Sequence, residues 1–385
     1  MISKFKTFCC SILLISICLF SPAIFAAEIT AIPSVSLKVE YDDNIDFNSN
    51  NEIDDFSGSI IPGLALNYKT ELLELNAYGE ADFKRYLEET DFDRVNQLYG
   101  VDSRYQMLQR LYFIGEFKYR KDETTDSQLE DTGRVFKRDG RKRYNAGGGF
   151  RYQISELSEI GPNFEYEKTN FSSKDDDDYD LYVYSLPYTK IFKNQRDTLT
   201  LTPFYSKFES DVQEADGYRF ETGWKHFFGE TITSHITAGV RHTKIDRKDT
   251  NDKDDNWGGV GKIEFNKRGE TFSGLVGYLH DLRADTQGEI IQVDRMYLSF
   301  DKRIKERFGM KFYGSGYFSR RESGDNDKVR FFELNPSLYY LLTEEHSLEL
   351  FYSYQNQVEM DDPGDPTTNR NRVWLTLNLR FPKTW

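Results

Sequence analysis

His226, His235, His242, His280 and His346 are the five histidines of this 385-residue chain. A histidine becomes a general base when a nucleophile and an orienting acid sit beside it. None of the five lies in a nucleophile motif, and the chain has no Gly-x-Ser-x-Gly. There is also no glycine-rich phosphate loop and no dinucleotide fingerprint. The carboxylates offer a second chemistry. Asp42, Asp43, Asp46, Glu52, Asp54 and Asp55 stand together without a basic neighbour. Asp175 to Asp178 form an unbroken run, and Glu209, Asp211, Glu214 and Asp216 form a third group. Such oxygens suit Ca²⁺ or Mg²⁺. However, Asp252-Lys253-Asp254-Asp255-Asn256 lacks the glycine and the distal glutamate of an EF-hand, and solvated loops are the simpler expectation. The reading is therefore neither an enzyme nor a cofactor protein, with divalent cations at the acidic loops as the alternative to solvated loops. A formal charge of −14 without a basic patch argues against nucleic acid.

The elements that must position these groups alternate at period two. In the last strand Val373, Leu375, Leu377, Leu379 and Phe381 alternate with Trp374, Thr376, Asn378 and Arg380. The pattern recurs with Leu73, Leu75, Ala77 and Phe83 against Glu74, Asn76, Tyr78, Glu80 and Asp82, and again around Leu111–Tyr119, Tyr144–Ile154 and Phe308–Phe318. Near Tyr182 and Tyr278 both parities carry apolar residues. Nowhere after the N-terminus is a helical period sustained. Aromatics make up 15% of the chain and gather at strand ends, as at Tyr41, Phe56, Tyr68, Phe83, Tyr119, Tyr144, Phe265 and Phe272. In a bilayer these would form two interfacial girdles; in water they would leave an apolar band with nothing to cover it.

Connections alternate between short and long. Short ones are expected near 69–71, 108–110, 155–159, 193–197, 229–231, 267–271, 303–307 and 343–347. Long polar ones are expected near 42–55, 84–95, 121–140, 169–178, 209–217, 244–255, 282–292, 320–328 and 358–371. This spacing predicts an all-β chain: a transmembrane antiparallel up-and-down β-barrel of about 18 strands, with 16 as second choice, short periplasmic turns and long extracellular loops. Low hydropathy is consistent, since only alternate strand residues would meet lipid.

The first 26 residues set the compartment. Lys4 and Lys6 precede an apolar run from Phe8 to Phe20, and Ser21-Pro22-Ala23-Ile24-Phe25-Ala26 supplies a break and a small residue for cleavage. Residues 1–26 thus read as a cleaved secretory signal peptide and 27–385 as the barrel domain. Cleavage removes all three cysteines together with Lys4 and Lys6. That leaves 48 basic and 64 acidic residues, a net charge of −16. The mature chain can form neither a disulfide nor a thiolate metal site.

Parity also assigns an inward face. It carries Glu74, Glu80, Asp82, Asp102, Glu116, Glu165, Glu221, Glu264, Glu333 and Glu349 with Arg104, Lys118, Arg120, Arg143, Arg151, Arg219, Lys225, Arg241, Lys262, Arg295, Lys311, Arg372 and Arg380. From these the candidate pore-lining set is Arg104, Glu116, Lys118, Arg120, Arg143, Arg151, Arg219, Glu221, Lys225, Arg241, Lys262, Glu264, Lys311 and Arg380. The lumen so defined is mixed and slightly basic, with the acidic excess left to the loops. Opposite charges on neighbouring strands either brace the wall or set up a transverse field favouring polar solutes. His226 and His242 fall on the lipid-facing parity and His235 on the inward one. The segment 121–140 is the longest connection, and its Arg134, Lys137 and Arg138 make it the candidate for an inward constriction loop.

An N-terminal signal, repeated amphipathic strands and a terminal aromatic, Trp385, resemble Gram-negative outer-membrane β-barrel proteins. Ser34-Val35-Ser36-Leu37-Lys38-Val39-Glu40-Tyr41-Asp42-Asp43-Asn44-Ile45 resembles the mature start of porin-like barrels, some of them linked to exopolysaccharide systems. The resemblance implies residence in the cell outer membrane, among lipid and lipopolysaccharide, after insertion by the barrel-assembly machinery. It also implies passive or weakly selective passage of polar solutes. Two alternatives share the fold: a polysaccharide exporter, whose sugars would meet Tyr78, Tyr313 and Trp374, and a plugged structural or adhesive barrel.

Overall fold

The computed structural model describes residues 27–135, 137–173, 176–248, 252–322, 328–360 and 366–385. The expected signal peptide lies outside them, as does Asp175 of the acidic run. Eighteen antiparallel strands close into a barrel. They are β1 (Glu28–Asp42), β2 (Asp55–Lys69), β3 (Leu73–Tyr86), β4 (Arg94–Leu108), β5 (Leu111–Glu123), β6 (Gly140–Ser155), β7 (Ser158–Ile160 with Asn163–Phe171), β8 (Tyr179–Ser185 with Tyr188–Ile191) and β9 (Asp197–Ser210). The second half comprises β10 (Gln213–Phe227), β11 (Ile232–Arg247), β12 (Lys253–Arg268), β13 (Phe272–Ala284), β14 (Ile290–Arg303), β15 (Phe308–Arg321), β16 (Lys328–Leu341), β17 (Ser347–Glu359) and β18 (Thr367–Arg380, with Lys383–Thr384). Each strand pairs with the next. The seam is closed by β1 on β18, in a register running from Ser34 opposite Arg380 to Asp42 opposite Arg372. A closed sheet leaves no unpaired edge, the condition for strands to cross a bilayer.

The breaks in β7 and β8 fall at Gly161-Pro162 and Leu186-Pro187. Proline donates no ladder hydrogen bond. On the outer face Val39, Ile60, Val240 and Met296 are each more than half exposed, a surface suited to acyl chains and not to water. An extracellular-side girdle rings part of the wall. Tyr119 lies between Tyr99 and Tyr144, and Tyr205 lies between Tyr184 and Tyr218, with ring centroids 4.9–6.0 Å apart.

Several expected long loops are not loops. At 209–217, β9 runs to Ser210 and β10 starts at Gln213, with Glu209 opposite Glu214 and Lys207 opposite Asp216. Likewise β11 extends to Arg247, and β13 and β14 are separated by residues 285–289 alone. Unbroken strands run 13 residues, as in β5, to 16, as in β6, whereas about ten suffice to cross the hydrocarbon at the usual tilt. The surplus rises above the membrane into water. Both parities turn polar there because both faces are wet, while the backbone ladder continues.

The segment between β5 and β6 is different. It forms helix α1 (Thr124–Thr132), ended by Gly133 at φ 67°, the left-handed conformation glycine adopts without strain. The segment is folded inside the barrel. Leu129 and Val135 pack with Phe47, Ile291, Val293, Tyr317 and Phe331, all at most 5% exposed. These inward apolar residues of β14, β15 and β16 form the seat on which the helix rests.

Candidate functional site: a lumen crossed by an internal helix

Contacts from opposite sides of the barrel hold α1 across the lumen. Gln128 donates to the Ala284 carbonyl of β13 at 3.2 Å, and Tyr317 of β15 donates to the Glu130 carbonyl at 2.6 Å. Gln357 of β17 makes two bonds to the Val135 backbone, at 2.8 and 3.1 Å. Arg94 of β4 pairs with Glu123 and with Asp126, the latter at 3.1 Å. On β6, Arg143 reaches Asp131 at 2.9 Å, and Arg141 meets Asp131 together with Ser127 and Gln128.

The expected constriction cations of this segment turn away from the water. Arg134 is 1% exposed, with its charge directed at Asp285 and Glu289 of the β13–β14 connection. Lys137 donates to Ser173 at 3.0 Å. Arg138 grips Glu123 through two bonds of 2.5 and 2.7 Å and lies over the Phe92 ring. They anchor the segment to its neighbours, because a long cation inside the wall is retained only where it finds a carboxylate or a carbonyl. The groups α1 presents to the lumen are Asp126, Glu130 and Asp131. A cavity of about 760 Å³ lies against Asp126 and Glu130 on the β12–β18 side, and a second of about 370 Å³ meets the same two residues on the β1–β5 side. Asp131 and Gln128 border a third, of about 340 Å³, toward β6–β13.

These acids are not equivalent. Burial would raise Asp126, but the positive charges of Arg94 and Lys84 outweigh it and hold the carboxyl well below its usual range. Asp131 is likewise held low, against burial, by Arg143 and Arg141. Glu130 goes the other way. Water reaches it, yet protein encloses it, and that desolvation together with the nearby Glu333 carboxylate pushes it up.

Register places the sequence-derived pore set opposite the lipid-facing parity, and most of its cations are occupied. Arg219 meets Glu221 at 2.9 Å and Asp281 at 3.1 Å. Arg241 holds Glu322 at 2.6 Å, Lys262 holds Glu264 at 2.8 Å, and Lys311 holds Glu349 at 2.7 Å. Arg120 lies 3.7 Å from Asp122, and Arg151 donates to Asn163 at 2.6 Å. Arg104 stacks over Tyr112 and Lys225 over Phe227. Glu116 leans on Gly147 beside a cavity it shares with Arg151. Lys118 is the register partner of Asn145, and Arg380 stands at the periplasmic edge opposite Ser34.

To the mixed lumen expected from parity the fold adds further acids, from α1 and from strand ends that the linear pattern assigned to loops. Asp42 shows the same effect: it is fully buried with Arg370, which binds it through Nε at 2.9 and 3.1 Å and Nη2 at 2.5 Å.

The inward tyrosines are mostly wall, not platform. The rings of Tyr78, Tyr297 and Tyr339 lie over Gly100, Gly277 and Gly309 of their neighbouring strands, where any Cβ would collide with the ring. Trp374 has Phe351 stacked at 5.0 Å, with Lys38 and Arg372 over it. Gly277→Val should therefore expel the Tyr297 ring into the lumen. The expected result is a loss of about 1–3 kcal/mol in stability and a lower unit conductance, measured on the same refolded protein. An unchanged conductance would show that the ring finds room elsewhere.

Of the histidines, His226, His242 and His280 pair with Asp197, Asp255 and Asp294 on the outer face. His235 faces inward, 3.8 Å from Glu264.

Comparison with known proteins agrees with this geometry. Residues 28–185, less than half of the chain, match the sequence family described as "Putative beta-barrel porin 2". Among curated proteins none matches. Among solved structures, the chain is similar to the outer membrane protein OpdK of Pseudomonas aeruginosa, with 10% identity, a TM-score of 0.50, and coverage of 92% of this chain and 99% of that one. OpdL of the same organism gives the same four values. OccK2 (OpdF), also from Pseudomonas aeruginosa, gives 10%, 0.50, 92% and 98%. The shared feature is the fold: a closed antiparallel β-barrel of the architecture seen in these outer-membrane proteins.

Proposed function

We propose that this barrel is a porin-like channel through which polar solutes pass passively or with weak selectivity, around the constriction made by α1. The observation that carries this reading is the water-accessible space on more than one side of an internal helix, lined by Asp126, Glu130 and Asp131 and faced by Arg120 and Arg372. Charges of opposite sign across a narrow passage act on polar solutes more strongly than on apolar ones. An N-terminal secretory signal and insertion by the barrel-assembly machinery belong to the same proposal. So does the absence of a catalytic or cofactor role. Among the described residues no three metal-ligating side chains converge, and the acidic loops are read as solvated. Of the aromatics expected to meet sugars in a polysaccharide exporter, Tyr78 covers Gly100 within the wall, whereas Tyr313 and Trp374 border the cavity of about 760 Å³.

Single-channel recording in planar bilayers tests the reading. Stable unit steps are expected from the folded barrel, and a persistently sealed membrane would overturn the open channel in favour of a plugged one. The ionic preference should depend on pH. Because Glu130 is raised, acidification removes its charge above the ordinary carboxylate range. Asp126 and Asp131, held low, remain charged. Cation preference should fall as pH drops through that range, and Glu130→Gln should abolish the step while leaving preference at low pH unchanged. A wild-type profile identical to that of the variant would rule out Glu130 as the titrating group.

A further inference from the structure

Five ladder rungs place two cations directly opposite one another, an arrangement that is destabilising unless an anion intervenes. Three of the five face the lumen and are answered there. Lys84 is opposite Arg94, with Glu40, Glu123 and Asp126 supplying the negative charge. Arg120 is opposite Arg143, and carboxylates meet both, Asp122 and Asp131 respectively. Arg219 is opposite Arg241, with Glu221, Asp281 and Glu322 supplying the negative charge.

The other two rungs face outward: Arg320 opposite Lys328, where Arg320 donates to Gln292, and Lys121 opposite Lys142. Lys121 shares the parity of Phe117 and Tyr119, and Lys142 that of Tyr144 and Ala146. Their neighbours along the rung are Gln97 and Asn170, both neutral. Among the described residues neither lysine makes an ion pair, and Lys142 is exposed. The two lysines lie two residues to the extracellular side of Tyr119 and Tyr144, whose rings are 4.9 Å apart in the girdle. At the strand rise this is roughly 7 Å beyond the aromatic belt. Interfacial aromatics mark the boundary between acyl chains and headgroups, so the lysines stand at the level of the headgroup phosphates.

We infer that Lys121 and Lys142 form a binding site for the phosphates of the outer-leaflet glycolipid. The occupant is a phosphorylated, acylated molecule lying in the membrane plane, its phosphate between the two ammonium groups and its chains against Phe117 and the tyrosines. An anion there supplies what carboxylates supply to the inner rungs. On the far side of the barrel Arg320 and Arg330 also face outward at the extracellular rim, with Arg320 donating to Gln292 at 3.1 Å. That second cationic patch is compatible with the same lipid but is not needed for the argument. The inference is independent of solute passage.

Native mass spectrometry of the detergent-solubilised full barrel tests it, with bis-phosphorylated lipid A as probe. The wild-type protein should retain this lipid A and release the same lipid stripped of its phosphates. Lys121→Gln/Lys142→Gln should weaken retention roughly tenfold or more, as expected for removing two cations at a charged membrane surface. The arginine pair Lys121→Arg/Lys142→Arg should restore it. Millimolar inorganic phosphate should not displace the lipid. Equal retention of the dephosphorylated lipid would overturn the site using wild-type protein alone, whatever the variants do. Undiminished retention by the glutamine variant, verified as folded by its heat-dependent gel mobility, would also overturn it. Full displacement by inorganic phosphate would reassign the site to a free anion and exclude the lipid.

Discussion

Arg370→Met should destabilise the barrel by about 3–5 kcal/mol, the usual consequence of leaving a buried charge without its partner. Arg370 and Asp42 are each 0% exposed and joined by several hydrogen bonds. They also tie β18 to β1, at the seam where the first and last strands must meet. The adjoining connections are linked there too: Asn44 donates to the Asn369 carbonyl at 2.8 Å, and Asn371 binds the Asp43 carboxylate. A stranded Asp42 carboxylate would be desolvated at the point where the barrel closes. The measurement is the urea midpoint for unfolding from lipid vesicles, alongside the temperature at which compact gel mobility is lost. Asp42→Leu combined with Arg370→Met should regain most of the loss, because a hydrophobic pair of similar volume does not carry the desolvation cost. A single variant within about 1 kcal/mol of wild type would show that water reaches the pair.

Replacing residues 125–138 with a short glycine-serine turn should raise unit conductance about twofold or more, because an 18-strand wall encloses far more cross-section than its own side chains fill. The segment is held by the Leu129 and Val135 cluster and by ion pairs to β4 and β6. It is not part of the hydrogen-bonded wall, so the barrel should still form. The same variant exposes Arg94, Arg141 and Arg143 without Asp126 and Asp131, and its preference should move toward anions. Unaltered conductance together with unaltered selectivity would mean that the narrowest point lies elsewhere in the lumen.

Parity was the most legible feature of this chain. Leu375, Leu377 and Leu379 point to lipid and Trp374, Thr376 and Asn378 to the lumen because a strand has only two faces, and one-residue slips are costly when one face must be apolar. The short turns and the strand number follow from the same alternation. Strand ends were less legible. Glu209, Glu214 and Asp216 read as loop because polarity on both parities is common to loops and to strands that rise into water. The ambiguous apolar residues around Tyr182 also gain an explanation. Tyr179 packs inside with Phe208, Ala215 and Ile245, and Leu181 lies against that cluster, while Tyr182 and Tyr184 face out.

The site was legible as a segment but not as a set of charges. Length and position marked 121–140 as the inward loop, yet Arg134, Lys137 and Arg138 proved to be anchors and Asp126, Glu130 and Asp131 of α1 the lumen-facing groups. Linear spacing reports which face of a strand a residue occupies. It carries no information about which side of a folded-in helix meets water, since that depends on where Ile291, Tyr317 and Phe331 happen to offer an apolar seat. The amino-acid order by itself therefore determined the barrel, its membrane-facing surface and the identity of the inserted loop, because each rests on local periodicity and length. Tertiary structure alone decided the sign of the constriction, the pairing of the wall cations and the burial of Asp42 with Arg370. Each of these depends on residues distant in sequence meeting across a lumen or a seam that exists only once the barrel has closed.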